Sequence, residues 1–113
     1  MPKKETFIYE NKEYIIDIGK DKFENWELID NSEPNDIWFH IEGSPSSHVF
    51  LRTDMKLNKM PRQVIKRCAC LCKSNSSTKR MKNVNIIYTN IYNIEKGEHI
   101  GSIISKNTKT VII

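Results

Sequence analysis

Short runs of β-branched and aromatic residues, each ended by turn-forming residues, constrain the fold of this chain more than any other feature. The segment FIYENKEYIIDIG reads as two strands, over 7–10 and 13–18, joined by a tight turn at Asn11-Lys12. Asparagine tolerates the positive φ that such a turn needs, and Gly19 ends the second strand. IWFHI (37–41) and HVFLRT (48–53) read as strands flanking a Ser/Pro/Gly loop at 42–47, and VNIIYT (84–89) as another. Residues 99–104 and 110–113 complete the set, with turns at Lys96-Gly97 and Lys106-Asn107. Two segments break the pattern. Asp21 with Glu24 three residues on forms a capping-box pattern, opening a helix to about Asp30 whose Phe23, Trp26 and Ile29 share one face. Pro61 suits the first turn of a second helix, which runs to about Lys73. Residues 31–36 read as a turn and 73–83 as a polar loop. With 113 residues and neither repeat nor linker, this order predicts an α+β fold. The expected architecture is a single small domain over 1–113, a mostly antiparallel twisted sheet with two main helices.

Charge is unevenly spread. Residues 1–54 carry twelve acids against six Lys/Arg, whereas residues 55–94 carry nine Lys/Arg and no carboxylate at all. A net of −6 is thus followed by a net of +9, and the remaining residues add +1 to reach the overall +4. One-sided charge of this kind points to a polyanion, nucleic acid before membrane. No apolar run approaches the roughly 20 residues that span a bilayer, and MPKKETFIYE lacks the apolar centre of a secretory leader. Three cysteines packed into Cys68-Ala69-Cys70-Leu71-Cys72 are too close for a disulfide framework. A reducing, cytoplasmic location is expected.

The second helix sharpens the charge signal. At 100° per residue from Arg62, Lys73 falls at about 20°, Lys66 at about 40° and Arg67 at about 140°. Val64, Ile65, Cys68, Leu71 and Cys72 fall between about 180° and 300°. One side is apolar and the other basic, which presents cations rigidly to phosphates. Lys79, Arg80 and Lys82 follow directly, without a compensating acid.

The candidate chemical sites are weaker. On a helix Cys68 and Cys72 point one way and Cys70 about 160° from each, so CACLC cannot gather a metal, and no second knuckle exists. Cys68 and Cys72 read as small core residues. His40 and His48 approach each other if their strands pair, yet two histidines without a third ligand are poor metal evidence. Ser47 and His48, adjacent in a strand, point to opposite faces, and no Walker or glycine-rich phosphate loop is present. The chain reads as a non-enzyme with no cofactor and no catalytic or metal residue. Catalysis would require His40 and His48 to converge with a third polar group in a cleft. Trp38 and His40 share a strand face and Phe39 takes the other, so Trp38 reads as core.

With these residues in view, the chain resembles the NFACT-R domain, the RNA-binding module of the NFACT proteins of ribosome-associated quality control. The likeness runs from about Tyr14 onward. It rests on Gly19-Lys20-Asp21-Lys22 with Asn25, on Asp36, Trp38, Phe39, His40, Ser47, His48, Val49 and Arg52, on Asn83-Val84-Asn85 with Tyr88-Thr89, and on Lys96 and Gly101. It is most similar to a short eukaryotic branch in which this domain precedes a coiled coil; the coiled coil has no counterpart here, nor do the N-terminal module and helical arms of the full-length proteins. The resemblance implies an α+β domain that contacts RNA on translating or stalled ribosomes.

The expected activity is therefore binding to ribosomal RNA, with tRNA or ribosomal proteins as further contacts, and neither membrane nor small-molecule substrate. A lone module seated at a functional site of the ribosome would occlude it, as a silencing or hibernation factor does. Lys20, His40, His48 and Arg52 are expected to contribute from the signature region. Lys59, Arg62, Lys66, Lys73, Lys79, Arg80 and Lys82 are expected to contribute from the basic segment. The rival reading is a protein-interaction module whose basic surface meets an acidic protein.

Overall fold

Strands β1 (Lys3–Tyr9) and β2 (Lys12–Gly19) form the first hairpin, in the computed structural model that describes residues 2–113. Its turn lies at Glu10 and Asn11, one residue earlier than expected, with φ of 49° and 64°. Two successive positive φ values are what a two-residue turn requires to match the right-handed strand twist. Helix α1 (Lys22–Asp30) follows. The Asp21 carboxylate caps it by accepting from the N–H groups of Phe23 and Glu24, while Glu24 reaches back to the Lys20 N–H at 2.9 Å. The capping box is thus present, shifted by one residue on its return bond.

Strands β3 (Ile37–Ile41) and β4 (His48–Arg52) pair with Trp38 opposite Phe50 and Phe39 opposite Val49. After a 3₁₀ turn at Leu57–Lys59 comes α2 (Arg62–Ser74), then β5 (Asn85–Asn90), a second 3₁₀ turn and β6 (Ile94–Lys96), β7 (Ile103–Ser105) and β8 (Lys109–Ile112). Six strands make one antiparallel sheet in the order β1-β2-β4-β3-β5-β8, and β6 pairs with β7 separately. The architecture is α+β, as the element order required. No helix among the described residues is long and apolar enough to cross a membrane.

The sheet is covered on both faces, which is why the central strands read as nearly continuous apolar runs. On one face Ile16, Ile37, Phe39, Val49, Leu51 and Ile86 meet Val64, Ile65, Cys68, Ala69, Leu71 and Cys72 of α2. On the other, Trp38 and Phe50 lie under Leu28 of α1, with Ile87, Ile94 and Ile103 beside them. Each fully buried large side chain contributes about 1.5–3 kcal/mol by leaving water.

Two expectations need correction. Phe23, Trp26 and Ile29 were expected to share one apolar face of α1, yet that face is not the one that packs: Phe23 is 61% exposed and the buried residues are Asn25 and Leu28. The helix is rolled because Leu28 is the residue that caps the Trp38–Phe50 pair, and Trp26 turns aside to donate its indole N–H to the Ser102 carbonyl. The strand expected over 99–104 is mostly a turn, with Gly101 at φ +88°, and only Ile103–Ser105 pairs, with an unforeseen Ile94–Lys96. Turn bonds between His99 and Ser102 displace strand pairing there.

Candidate nucleic-acid interface

Helix α1 runs along the face that carries Trp38 and Phe50, and the two ends of this face differ in chemistry. At the C-terminal end of α1, Arg52 donates from Nε to Asp17 Oδ2 at 2.8 Å and from Nη1 to Asp36 Oδ2 at 3.2 Å. It also bonds Ser32 Oγ and lies over the Phe50 ring at 5.2 Å. Asp36 in turn accepts from the N–H groups of Glu33 and Thr53. Arg52 was expected to contribute to the contact surface. Its guanidinium is instead committed to two carboxylates, with 19% of the side chain exposed. It locks the ends of the β3–β4 hairpin to β2 and to the turn after α1.

At the opposite end the face opens into a cleft of about 460 Å³. Its walls are the end of β2 and first turn of α1 (Lys20, Lys22, Asn25), the β3–β4 loop (Ser46, Ser47) with His40 and His48, and the turn leaving α2 (Asn75–Ser77). Gly101 closes it above Lys22, where a Cβ would collide with the Lys22 side chain. Ser47 Oγ donates to the Asn75 carbonyl at 2.7 Å and Cys72 Sγ to the Ser47 carbonyl at 3.3 Å, fastening the loop to α2.

The histidines converge here. Their ring centroids are 4.7 Å apart and nearly perpendicular, and His40 stacks on Trp38 at 5.6 Å. Trp38 Nε1 donates to His48 Nδ1 at 3.1 Å. An indole N–H can only donate, so Nδ1 must be the unprotonated nitrogen and the proton sits on Nε2. Burial, with the neighbouring His40, pushes the His48 pKa down to about 3. Burial also lowers His40, against a backbone hydrogen bond at Ile41 that raises it. His48 was expected at the contact surface; it is 4% exposed and reaches outward only through the cleft. Both rings act as uncharged groups near neutral pH, so charge attraction must come from elsewhere. No group of three or more His, Cys, Asp or Glu with metal-binding geometry exists among the described residues.

The charge lies on the other side of the sheet. Helix α2 buries its apolar stripe and exposes Arg62, Lys66, Arg67 and Cys70, as the sequence angles required. Arg67 pairs with Glu5 of β1 at 3.0 Å, and Lys73 is half-buried, donating to the Ile113 carbonyl at 3.0 Å. Lys59, in the 3₁₀ turn before α2, is exposed. Lys79, Arg80 and Lys82 are exposed in the loop after α2, and with Arg62 and Lys66 they meet no carboxylate among the described residues. The turn at Asn75–Ser77 joins this basic region to the cleft. The residues of that wall, with Lys22, Asn25, Ser46 and Ser47, were not singled out as contacts from sequence. Lys22, Asn25 and Ser47 stood among the residues of the family resemblance.

The profile of the NFACT protein RNA binding domain matches residues 3–109. Mouse coiled-coil domain-containing protein 25 is 44% identical over 86 residues, 74% of this chain and 41% of that protein. Protein JLP2 of Saccharomyces cerevisiae is 36% identical over 107 residues, 84% of this chain and 51% of that protein. The chain thus spans about half or less of the length of these relatives. The C-terminal part of the fibronectin/fibrinogen-binding protein from Streptococcus suis has the same fold, with a TM-score of 0.85 over 99% of this chain and 44% of that one, at 24% identity. By fold, by signature residues and by the extent of the match, this chain belongs to the NFACT RNA-binding domain family.

Proposed function

We propose that this chain binds structured RNA on the ribosome, in the cytoplasm, through the basic side of α2 and the loop after it, and that it does so without catalysis. The observation that carries the reading is that the exposed cations Arg62, Lys66, Lys79, Arg80 and Lys82, on α2 and the loop after it, meet no carboxylate among the described residues in a chain holding fourteen acids. Helix α2 is anchored by its buried stripe, so its cations are held at fixed spacing against a phosphate backbone. Catalysis is disfavoured by the state of the cleft. The lone-pair nitrogen of His48 is occupied by Trp38, Ser46 Oγ accepts from the Ile41 N–H, and Ser47 Oγ donates to Asn75. Among the described residues, no hydrogen bond joins a serine hydroxyl of the cleft to His40 or His48.

Five phosphate contacts give a log–log salt slope of about −3.5 to −4.5 for RNA affinity. Reversing Lys79, Arg80 and Lys82 to Glu reduces that slope to about −1.5 and weakens binding at every salt concentration. An affinity that barely changes with salt refutes the electrostatic reading. Recovery of the chain with ribosomes that vanishes on nuclease treatment supports RNA; recovery that survives full digestion supports an acidic protein partner instead. A module seated where the ribosome holds tRNA occludes that site, which makes silencing the expected consequence. Sucrose gradients from growing and dormant cells test this, and a chain found only in free fractions rules it out.

A further inference from the structure

Two recesses meet where the sheet ends at β8, beside the start of α2, and no carboxylate among the described residues lines either of them. The first, of about 590 Å³, lies between the 3₁₀ turn at Leu57–Lys59 and the second 3₁₀ turn, Ile91–Asn93. Its walls include Asn35, Lys56, Tyr92 and Asn93. The second, of about 440 Å³, lies between α2 and β8, with Arg62, Tyr88 and Thr110 in its walls. Leu57, Asn58 and Lys109 line both, so the two form one groove. Each recess falls within the roughly 300–1,000 Å³ of small-ligand sites, room for a nucleotide apiece.

The charge of this groove is positive. Lys56, Arg62 and Lys109 are exposed and form no ion pair among the described residues. Asp36 and Asp54 line a separate cavity with Arg52, and Glu95 lines another beyond Tyr92. The Tyr92 side chain is open, with the residue 61% exposed, but its backbone is fixed. The Tyr92 N–H donates to the Pro34 carbonyl at 3.2 Å and the Ile91 N–H to the Asp36 carbonyl at 2.8 Å. An open ring on a rigid turn is a platform for stacking. The amides around it are of two kinds. Asn93 donates to Thr89 Oγ1 at 2.9 Å and accepts from Asn107 at 3.4 Å, which braces the turn. The exposed side chains of Asn35 and Asn58 have no hydrogen bond among the described residues. Cations suit phosphates, an open ring suits a base, and an amide, donor and acceptor at once, suits a base edge. A run of acidic residues engages the cations but brings no ring to Tyr92, and a duplex keeps its base faces stacked inside. An unpaired strand meets all three groups.

We propose that this groove takes unpaired nucleotides from a loop of the structured RNA, with a base stacked on Tyr92, base edges met by Asn35 and Asn58, and phosphates held by Lys56, Arg62 and Lys109. The proposal rests on the RNA-binding reading and deepens it. Arg62 belongs both to the basic side of α2 and to the groove, so the two surfaces are continuous. The basic side and the loop after α2 supply attraction to any phosphate backbone, and the groove supplies the preference for an unpaired segment.

The test is fluorescence anisotropy with two labelled probes, an unstructured RNA octamer and a blunt RNA duplex, on the native chain and on variants at exposed positions. Tyr92→Ala is expected to weaken octamer binding about tenfold, the loss of one stacked base, with duplex affinity and the salt slope unchanged. Tyr92→Phe, which keeps the ring, is expected to restore octamer binding. Lys56→Gln combined with Lys109→Gln is expected to reduce the octamer's log–log salt slope by about 1.4, since two phosphate contacts on a single strand are lost. Octamer binding untouched by Tyr92→Ala, or octamer and duplex weakened equally, overturns the groove while RNA binding stands. So does a native chain that binds the duplex but not the octamer. A native chain that binds neither probe overturns both readings. A glutamate octapeptide that displaces the RNA octamer from the native chain and from Tyr92→Ala with equal ease makes the groove a seat for an acidic protein segment and overturns the nucleotide assignment.

Discussion

Acidification probes the Trp38–His48 pair directly. In the unfolded chain an unperturbed imidazole titrates near pH 6.5. In the folded protein burial and the adjacent His40 hold His48 near 3. Above pH 6.5 neither state binds the proton, and the group adds nothing to the pH dependence. Between 6.5 and 3 the unfolded state is protonated and the folded state is not, so stability falls as pH falls. Below 3 the loss saturates. From pH 7 to pH 5 the loss from His48 alone is about 2 kcal/mol, and the full loss is about 5 kcal/mol. His40, also lowered, adds to it in the same direction. The assay is urea unfolding at pH 7 and pH 5 for the native chain and for His48→Asn. Asparagine places a carbonyl oxygen near the position of Nδ1, preserving an acceptor for the Trp38 indole without a titrating ring. The variant is expected to lose about 2 kcal/mol less over that interval, whatever its absolute stability. Equal losses for the two chains refute the assignment of His48 as a buried neutral ring.

Other perturbations read other parts of the molecule. Arg52→Met strands the Asp17 and Asp36 carboxylates and should cost about 3 kcal/mol in chemical unfolding, with RNA affinity of the folded fraction unchanged. A loss below about 1 kcal/mol, or a selective loss of RNA binding, returns Arg52 to the contact surface. Gly19→Ala drives a Cβ into the Asn25 amide and should cost about 1–3 kcal/mol; a neutral effect shows that Asn25 has room to move. Native alkylation with iodoacetamide should modify Cys70 alone. Cys68 and Cys72 are buried, and burial pushes the Cys72 thiol up to about 12. Three modifications without denaturant refute the packing of α2.

Much of the fold was legible because local rules and tertiary packing agree in it. Helix α2 matches its sequence angles because its six buried residues sit on one contiguous stripe facing the sheet. The β3–β4 hairpin matches because both strands are buried on both faces and tolerate few polar residues. Helix α1 was misread because two competing aromatic residues, Phe23 and Trp26, looked like a core face, whereas the surface it packs on fits Leu28. The β6–β7 pair escaped notice because three-residue strands carry too few side chains to show a period.

The sequence by itself determined the α+β class, the family, and the separation of an acidic first half from a basic middle, since composition and periodicity are properties of the chain in order. Tertiary structure alone decided what the signature residues do. Arg52 and His48 lie four apart and look equally available in sequence, yet one faces Asp17 and Asp36, while the other accepts a hydrogen bond from Trp38 and turns its remaining nitrogen into a cleft. Desolvation and hydrogen-bond partners set charge and availability, and both come from residues brought together by folding across as many as 35 positions.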